Sequence, residues 1–411
     1  MQLTREQERV LDGERGEAAQ RLMRLLVALG EIYGAGRLIP VASAQISGVS
    51  YKSIGDPGLE LLEELAGKGA RVSVPTTLNP AGMDFQRWRE LGIPEKFARK
   101  QLRIIEAFRR MGVEVTATCV PYLVGSRPGP GEHLAWAESS AVIFANSVLG
   151  ARTNRESGLS ALAAAVCGVT PDYGFHQDEN RRATVIVEVT VRLQGAADFG
   201  ALGHYVGSRL PNSVPFFRGL GRATEDELKA LGAAMAASGA IALFHVEGVT
   251  PEAGAQELKS LERHSFGPEE LRRAREDLGS DCEPELGVVG CPHASLAEIE
   301  EVAEKLRGRR LRRPLWVCTA RTIKEEAERL GLVEAIESAG GRVIADTCAV
   351  VAPLELLGFR CVVVNSAKAA RYLPSLCKQR VVYRGLDEML EMLAGEVPTQ
   401  NTKTEPRSPN G

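Results

Sequence analysis

A chain of 411 residues, with 44% hydrophobic and 25% charged side chains and 42 glycines, has the composition of an ordinary globular protein and exceeds what one hydrophobic core usually supports. Its 50 basic side chains against 53 acidic ones leave a formal charge of -3, and no block of like charge is long enough for a nucleic-acid or anionic-membrane surface. General disorder is excluded, and the expected partners are small molecules or another protein.

The first sixteen residues are dense in Arg, Glu and Gln and lack the unbroken apolar core of a signal peptide, so a cytoplasmic protein is expected. The most apolar runs, 159–169 and 240–246, are far shorter than a membrane span. In chain order, the pattern predicts a strand near 38–44, a glycine-containing loop, a helix near 59–67 and a strand at 71–75. A long helix over 94–111 and a strand at 113–118 follow, and Cys119 comes next. Helix-like apolar segments at 136–149 and 160–167 then precede strands at 183–193 and 241–246.

From residue 286 the reading is plainest. Apolar runs at 286–290, 314–319, 342–346, 361–365 and 381–383 alternate with amphipathic segments such as 295–306 and 323–338. That is a βαβ series, which implies a parallel sheet buried on both faces with right-handed crossovers. Ligands of such sheets sit beyond the carboxyl ends of the strands, here occupied by Cys291, Thr319 with Arg321, Cys348, and Asn365 with Ser366. The expected division is an N-terminal α/β domain over 1–130, a middle α/β domain or insertion over 131–285 and a C-terminal α/β domain over 286–395. A polar tail over 396–411, with three prolines, reads as disordered.

Eight cysteines in a reducing compartment are poor candidates for a disulfide framework, which leaves buried thiols, reactive thiols or metal ligands. Cys119, Cys291 and Cys348 share one context, each closing an apolar strand. Cys167, Cys318 and Cys361 read as small buried hydrophobes. Three thiolates from separate strand ends suit a cubane cluster whose fourth iron is open to substrate, while a zinc site or an electron-transfer cluster prefers closely spaced cysteines. Spacing alone leaves cluster ligation and simple burial both open.

The run Ala135-Trp136-Ala137-Glu138-Ser139-Ser140-Ala141, with its continuation over 145–156, resembles the signature block of aconitase X large subunits. So do residues 244–251, Gly290-Cys291-Pro292-His293 and Asp346-Thr347-Cys348, and the likeness extends from about 40 to 384. The resemblance implies an aconitase-like α/β fold, several domains with parallel sheets around a central iron-sulfur site. It implies a hydro-lyase whose [4Fe-4S] cluster, with one open iron, is held by Cys119, Cys291 and Cys348. It also implies a heterodimer, in which a separate small swivelling-domain subunit supplies the serine that removes the substrate's proton. Residues 47–52 and 79–84 resemble the archaeal phosphomevalonate branch, whereas hydroxyproline-type members carry His-Ile-Asp-Gly where this chain has Gln45-Ile46-Ser47-Gly48. Val120 and Ser157 depart from the family pattern, which more often has Thr and Gly there.

Dehydration of a hydroxy acid needs a Lewis acid on the leaving hydroxyl and groups that hold the substrate's anionic ends. Glu138 with Ser139 is expected to position substrate or relay a proton, with a carboxyl pKa raised by its apolar setting; a helix-capping Glu is the plainer reading. Gly48, Val49 and Ser50 form a loop suited to an anion or to an ordinary turn. Asn79 and Pro80 follow another strand and face the same crevice. Lys368 is either a point charge for an anionic group or a surface lysine. His293, beside Cys291, is a candidate proton relay. Dehydration of cis-3-hydroxyproline by the same machinery, and an iron-sulfur sensor, are the competing functions.

Overall fold

The computed structural model describes residues 1–394, so the tail expected over 396–411 lies outside the described residues. Short strands, most of them apolar and most feeding a helix, build three parallel sheets in succession. The first region contributes β1 (Leu38–Pro40), β2 (Ser43–Ile46), β3 (Thr76–Leu78), β4 (Leu134–Trp136) and β5 (Val169–Pro171). There β2 lies between β3 and β4 in a parallel sheet, while β1 and β5 form a separate antiparallel pair. The second comprises β6 (Val185–Val189), β7 (Pro215–Arg218), β8 (His245–Val246) and β9 (Glu262–Phe266) in the order β8-β7-β6-β9.

The third sheet runs β12-β11-β10-β13-β14 and consists of β10 (Leu286–Ala294), β11 (Leu315–Thr319), β12 (Gly341–Ala345), β13 (Cys361–Val364) and β14 (Arg380–Tyr383). All its pairs are parallel, and β10, β11 and β13 are buried at every residue, as a sheet covered on both faces requires. The chain steps from β10 to β11 and β12 on one side, then crosses to β13 and β14 on the other. Loops leaving β10 and β13 therefore diverge and open a crevice at their carboxyl ends. The first sheet repeats this device, with β2 flanked by β3 and β4.

Several expected elements shift. The strand read at 38–44 divides between β1 and β2, and the one read at 71–75 lies later, as β3. Residues 113–118 run beside β3 without forming a strand: the Thr116 hydroxyl takes the ladder's place, accepting from Leu78 N and donating to Leu78 O, both at 3.1 Å. Ala117, at φ 44°, then turns the chain out of line just before Cys119. The segment at 136–149 splits into β4, which belongs to the first sheet, and a helix over Ser139–Ser147. The strands read at 183–193 and 241–246 shrink to β6 and β8.

The cysteine reading also needs one correction. Cys282 and Cys361 form a disulfide across 6.3 Å between Cα atoms. The linker carrying Cys282 returns alongside the start of β13, where Glu285 N donates to Cys361 O at 2.9 Å, and a sequence separation of 79 gives no sign of it. One apolar core then joins the regions around Cys291, Cys318, Cys348 and Cys377, running from Met83, Trp88 and Phe97 to Val288, Ile344 and Val364. Among the described residues no helix is long and apolar enough to cross a membrane.

Candidate active site

Helix N-termini converge where the first and third sheets face each other. Glu138 caps the helix Ser139–Ser147, Ser366 caps Ala367–Cys377 and Ser50 caps Tyr51–Gly67, so each strand end delivers its functional residues at the positive end of a helix. Oriented amides of this kind favour a bound anion.

Glu138 is the centre of the polar cluster. Lys368 Nζ pairs with Glu138 Oε1 and donates to Ser140 Oγ at 3.1 Å. Asn79 Nδ2 donates to Glu138 Oε2 at 2.6 Å, and the hydroxyls of Ser139 and Ser140 donate to Oε1 at 3.3 and 3.2 Å. Burial pushes the Glu138 carboxyl up, but the adjacent Lys368 charge and these hydrogen bonds outweigh it and hold the group down at about 2. The raised value expected from the apolar setting is thus overturned: Glu138 is ionised at neutral pH. Its capping role is real as well, since its side chain accepts from Ser140 N. Lys368, 7% exposed, is no surface lysine, and Glu138 overcomes the effect of burial to keep its pKa raised.

The three thiols lie beside this pair. Cys119, Cys291 and Cys348 are all buried, and close enough to feel one another's charge and that of Lys368 and Glu138. Their expected common context, each closing an apolar strand, does not hold: no strand leads into Cys119, and Cys291 lies within β10. Cys119 comes from the irregular segment beside the first sheet, while Cys291 and Cys348 belong to the third. His293 joins their segments: its N–H donates to Cys119 Sγ at 3.2 Å, and its ring lies 3.0 Å from Thr118 Oγ1 and 2.9 Å from Thr347 O. A carbonyl only accepts, so Nε2 carries the proton and Nδ1 accepts from Thr118. Burial pushes His293 down to about 4, which keeps this neutral tautomer.

Among the described residues no group of His, Cys, Asp or Glu side chains converges on a single-ion site. A cubane makes a different demand, because each thiolate takes its own iron and the three sulfurs must stand apart. Three buried thiols from three segments fit that demand. Burial pushes the Cys119 thiol up to about 12, so the thiols stay protonated until a cation replaces the protons.

Gly48, at φ 72°, is exposed at the loop after β2, while Val49 and Ser50 are buried. Ser50 is committed to the fold, since its hydroxyl donates to Val351 O at 2.9 Å. Pro80 is buried next to Asn79, whose Oδ1 has no partner among the described residues. Sequence reasoning missed Gln45, which ties Thr118 O to Glu138 N, and Ser140 as a partner of both Glu138 and Lys368. The doubled serine after Glu138 was the available signal for Ser140. Cys318 was read as a plain hydrophobe, yet it lies beside the Cys348 turn, near the Ala349 amide.

Models of the aconitase X first, second and third domains match residues 1–179, 183–276 and 284–395. A relative from Methanocaldococcus jannaschii, the phosphomevalonate dehydratase large subunit, is 54% identical over 95% of this chain and 100% of its own. The cis-3-hydroxy-L-proline dehydratase of Pseudomonas aeruginosa is 37% identical over 94% of this chain and 69% of its own. The crystal structure of Thermococcus kodakaraensis aconitase X in its holo-form superposes with a TM-score of 0.89 at 47% identity, covering 95% of this chain and 99% of that one. With three domain models matched in order and relatives alike from end to end, this chain belongs to the aconitase X family.

Proposed function

We propose that the chain is the large subunit of a hydro-lyase that dehydrates (R)-5-phosphomevalonate to trans-anhydromevalonate 5-phosphate, a step of isoprenoid synthesis. The observation that carries this reading is end-to-end likeness, at 54% identity, to a phosphomevalonate dehydratase large subunit, against 37% for a hydroxyproline dehydratase. In this reading Cys119, Cys291 and Cys348 hold a [4Fe-4S] cluster, and a small subunit closes the site and supplies the base. The cluster would supply a Lewis acid with one open position for the departing hydroxyl, with no change of redox state.

The chain's own residues do the rest. Lys368, Asn79, Ser139 and Ser140 keep Glu138 ionised, so its oxygens accept hydrogen bonds and orient a substrate hydroxyl. The unpartnered Asn79 Oδ1 has room for one more donor, which a substrate hydroxyl satisfies. Gly48 and the backbone amides of Val49 and Ser50, with the helix N-termini and Lys368, form the anion-holding wall, and Pro80 fixes the turn beside it. His293, engaged at both ring nitrogens, keeps the thiol-bearing segments in register.

The test is anaerobic co-expression with the small subunit and assay of three substrates. Activity is expected on 5-phosphomevalonate, with mevalonate poorer by about one to two powers of ten in kcat/KM for each lost charge-assisted contact. Near-background turnover is expected from the chain alone. Equal turnover of mevalonate, or faster turnover of cis-3-hydroxyproline, would overturn the substrate assignment.

A further inference from the structure

Residues 79–84 tie the polar cluster to one of the thiols through a run with no slack. At one end Asn79 N donates to Ile46 O at 2.9 Å, and its side chain holds Glu138. In the middle, Ala81 N donates to Asp346 O at 2.8 Å and Gly82 N to Gln101 Oε1 at 3.0 Å. A Cβ on Gly82 would stand 2.6 Å from both Ser50 Oγ and Phe97 Cζ, so no other residue fits without displacing the wall of the site. At the far end Asp84 is wholly buried. Its Oδ1 accepts from Gln86 N, Arg87 N and Arg321 Nη2 at 2.9, 3.0 and 2.9 Å, and its Oδ2 from Ala345 N at 3.0 Å.

Ala345 ends β12, and Asp346, Thr347 and Cys348 follow. Asp346 adopts φ 64°, a conformation that a side-chain-bearing residue keeps only where its surroundings fix it. Two groups fix it: Phe85 N donates to Asp346 Oδ2 at 3.1 Å, and the Arg321 guanidinium bridges Asp346 to Asp84. One planar cation serving two carboxylates from two regions is a task that a lysine performs poorly.

We propose that Asp84 and Arg321 are positioning residues of the active site, latching residues 79–84 to the Asp346 turn so that Cys348 and Glu138 are held in one fixed relation. This rests on Cys348 being a cluster ligand, so the experiment separates the two claims. In the full chain freed of iron, the alkylation rate of each thiol by iodoacetamide is followed by mass spectrometry. Arg321→Met is expected to speed labelling of Cys348 about ten- to a hundred-fold while Cys119 and Cys291 stay near their wild-type rates. Arg321→Lys should fall between, and Asp84→Asn, which keeps the shape, should act in the same direction should the methionine variant fail to fold. In the iron-loaded complex with the small subunit the same variants should lower kcat with little change in KM. A uniform rise at all three thiols, or an unchanged Cys348 in both Arg321→Lys and Asp84→Asn, would overturn the latch. Full iron retention by Cys348→Ser would instead sink the ligand assignment and leave the labelling result standing.

Discussion

Serine at Cys119, Cys291 or Cys348 is expected to abolish iron binding by the anaerobically purified chain and to reduce dehydration to background. Each thiol comes from its own segment: Cys119 from the irregular run beside the first sheet, Cys291 from within β10 and Cys348 from the turn after β12. The controls follow from geometry. Cys167 lies in the helix Gly158–Cys167, with Ala19 O at 3.9 Å from its sulfur, and its serine variant should keep iron and activity. Cys318 and Cys377 are stricter controls, because both underlie the Cys348 turn; Cys377 Sγ donates to Ala349 O and Val350 O at 3.4 Å. Alanine at either should leave iron content near wild type. Loss of iron from Cys318→Ala, together with retention by the serine variant of Cys119, Cys291 or Cys348, would reassign the ligand set.

Breaking the Glu138–Lys368 pair is the second large effect. Lys368 is buried and Glu138 largely so, so removing one partner leaves an uncompensated charge, and each of Glu138→Gln and Lys368→Met should cost about 3 kcal/mol of stability. The double variant should cost clearly less than the sum, because it leaves no buried charge. Urea denaturation of the four proteins measures this, and additive losses would show that the pair does not act as a unit. The pH dependence has opposite signs in the two cases. In the wild type the Glu138 pKa is depressed, so its contribution is complete above the ordinary value of 4.5 and is lost as pH falls towards about 2. In Lys368→Met burial is opposed only by the hydrogen bonds from Asn79 and the two serines, so the carboxyl rises and acidification from pH 7 to 5 should partly restore stability. Both single variants should also lose kcat, since Glu138 then lacks its charge or its orientation.

The third sheet was legible because its strands are buried on both faces and appear as unbroken apolar runs between amphipathic helices. The region before Cys119 was not. There a threonine hydroxyl replaces a ladder bond and a non-glycine residue takes a positive φ, choices that leave no mark on periodicity. Glu138 and Lys368 were each legible as candidates for holding substrate, yet their pairing was not, and the charge state of Glu138 came out reversed. An ion pair between residues far apart in sequence is created by the meeting of two sheets, and local composition reports only the apolar surroundings. Gln45 escaped for a similar reason: its amide joins two backbone segments, a role that any buried amide could fill.

The origin of the three thiols in different regions has a consequence for biogenesis. Cys119 becomes available early in synthesis, but Cys348 and the β13 strand that completes the crevice emerge near the end, and loop closure over most of the chain must precede their meeting. Metallation is therefore expected to be post-translational and all-or-none, a late step on an already folded polypeptide. Starved of iron, a cell would accumulate a native-like, empty apoprotein, and because a ligand that binds only the native state adds its binding energy to stability, the degree of loading would be readable as a shift in melting temperature.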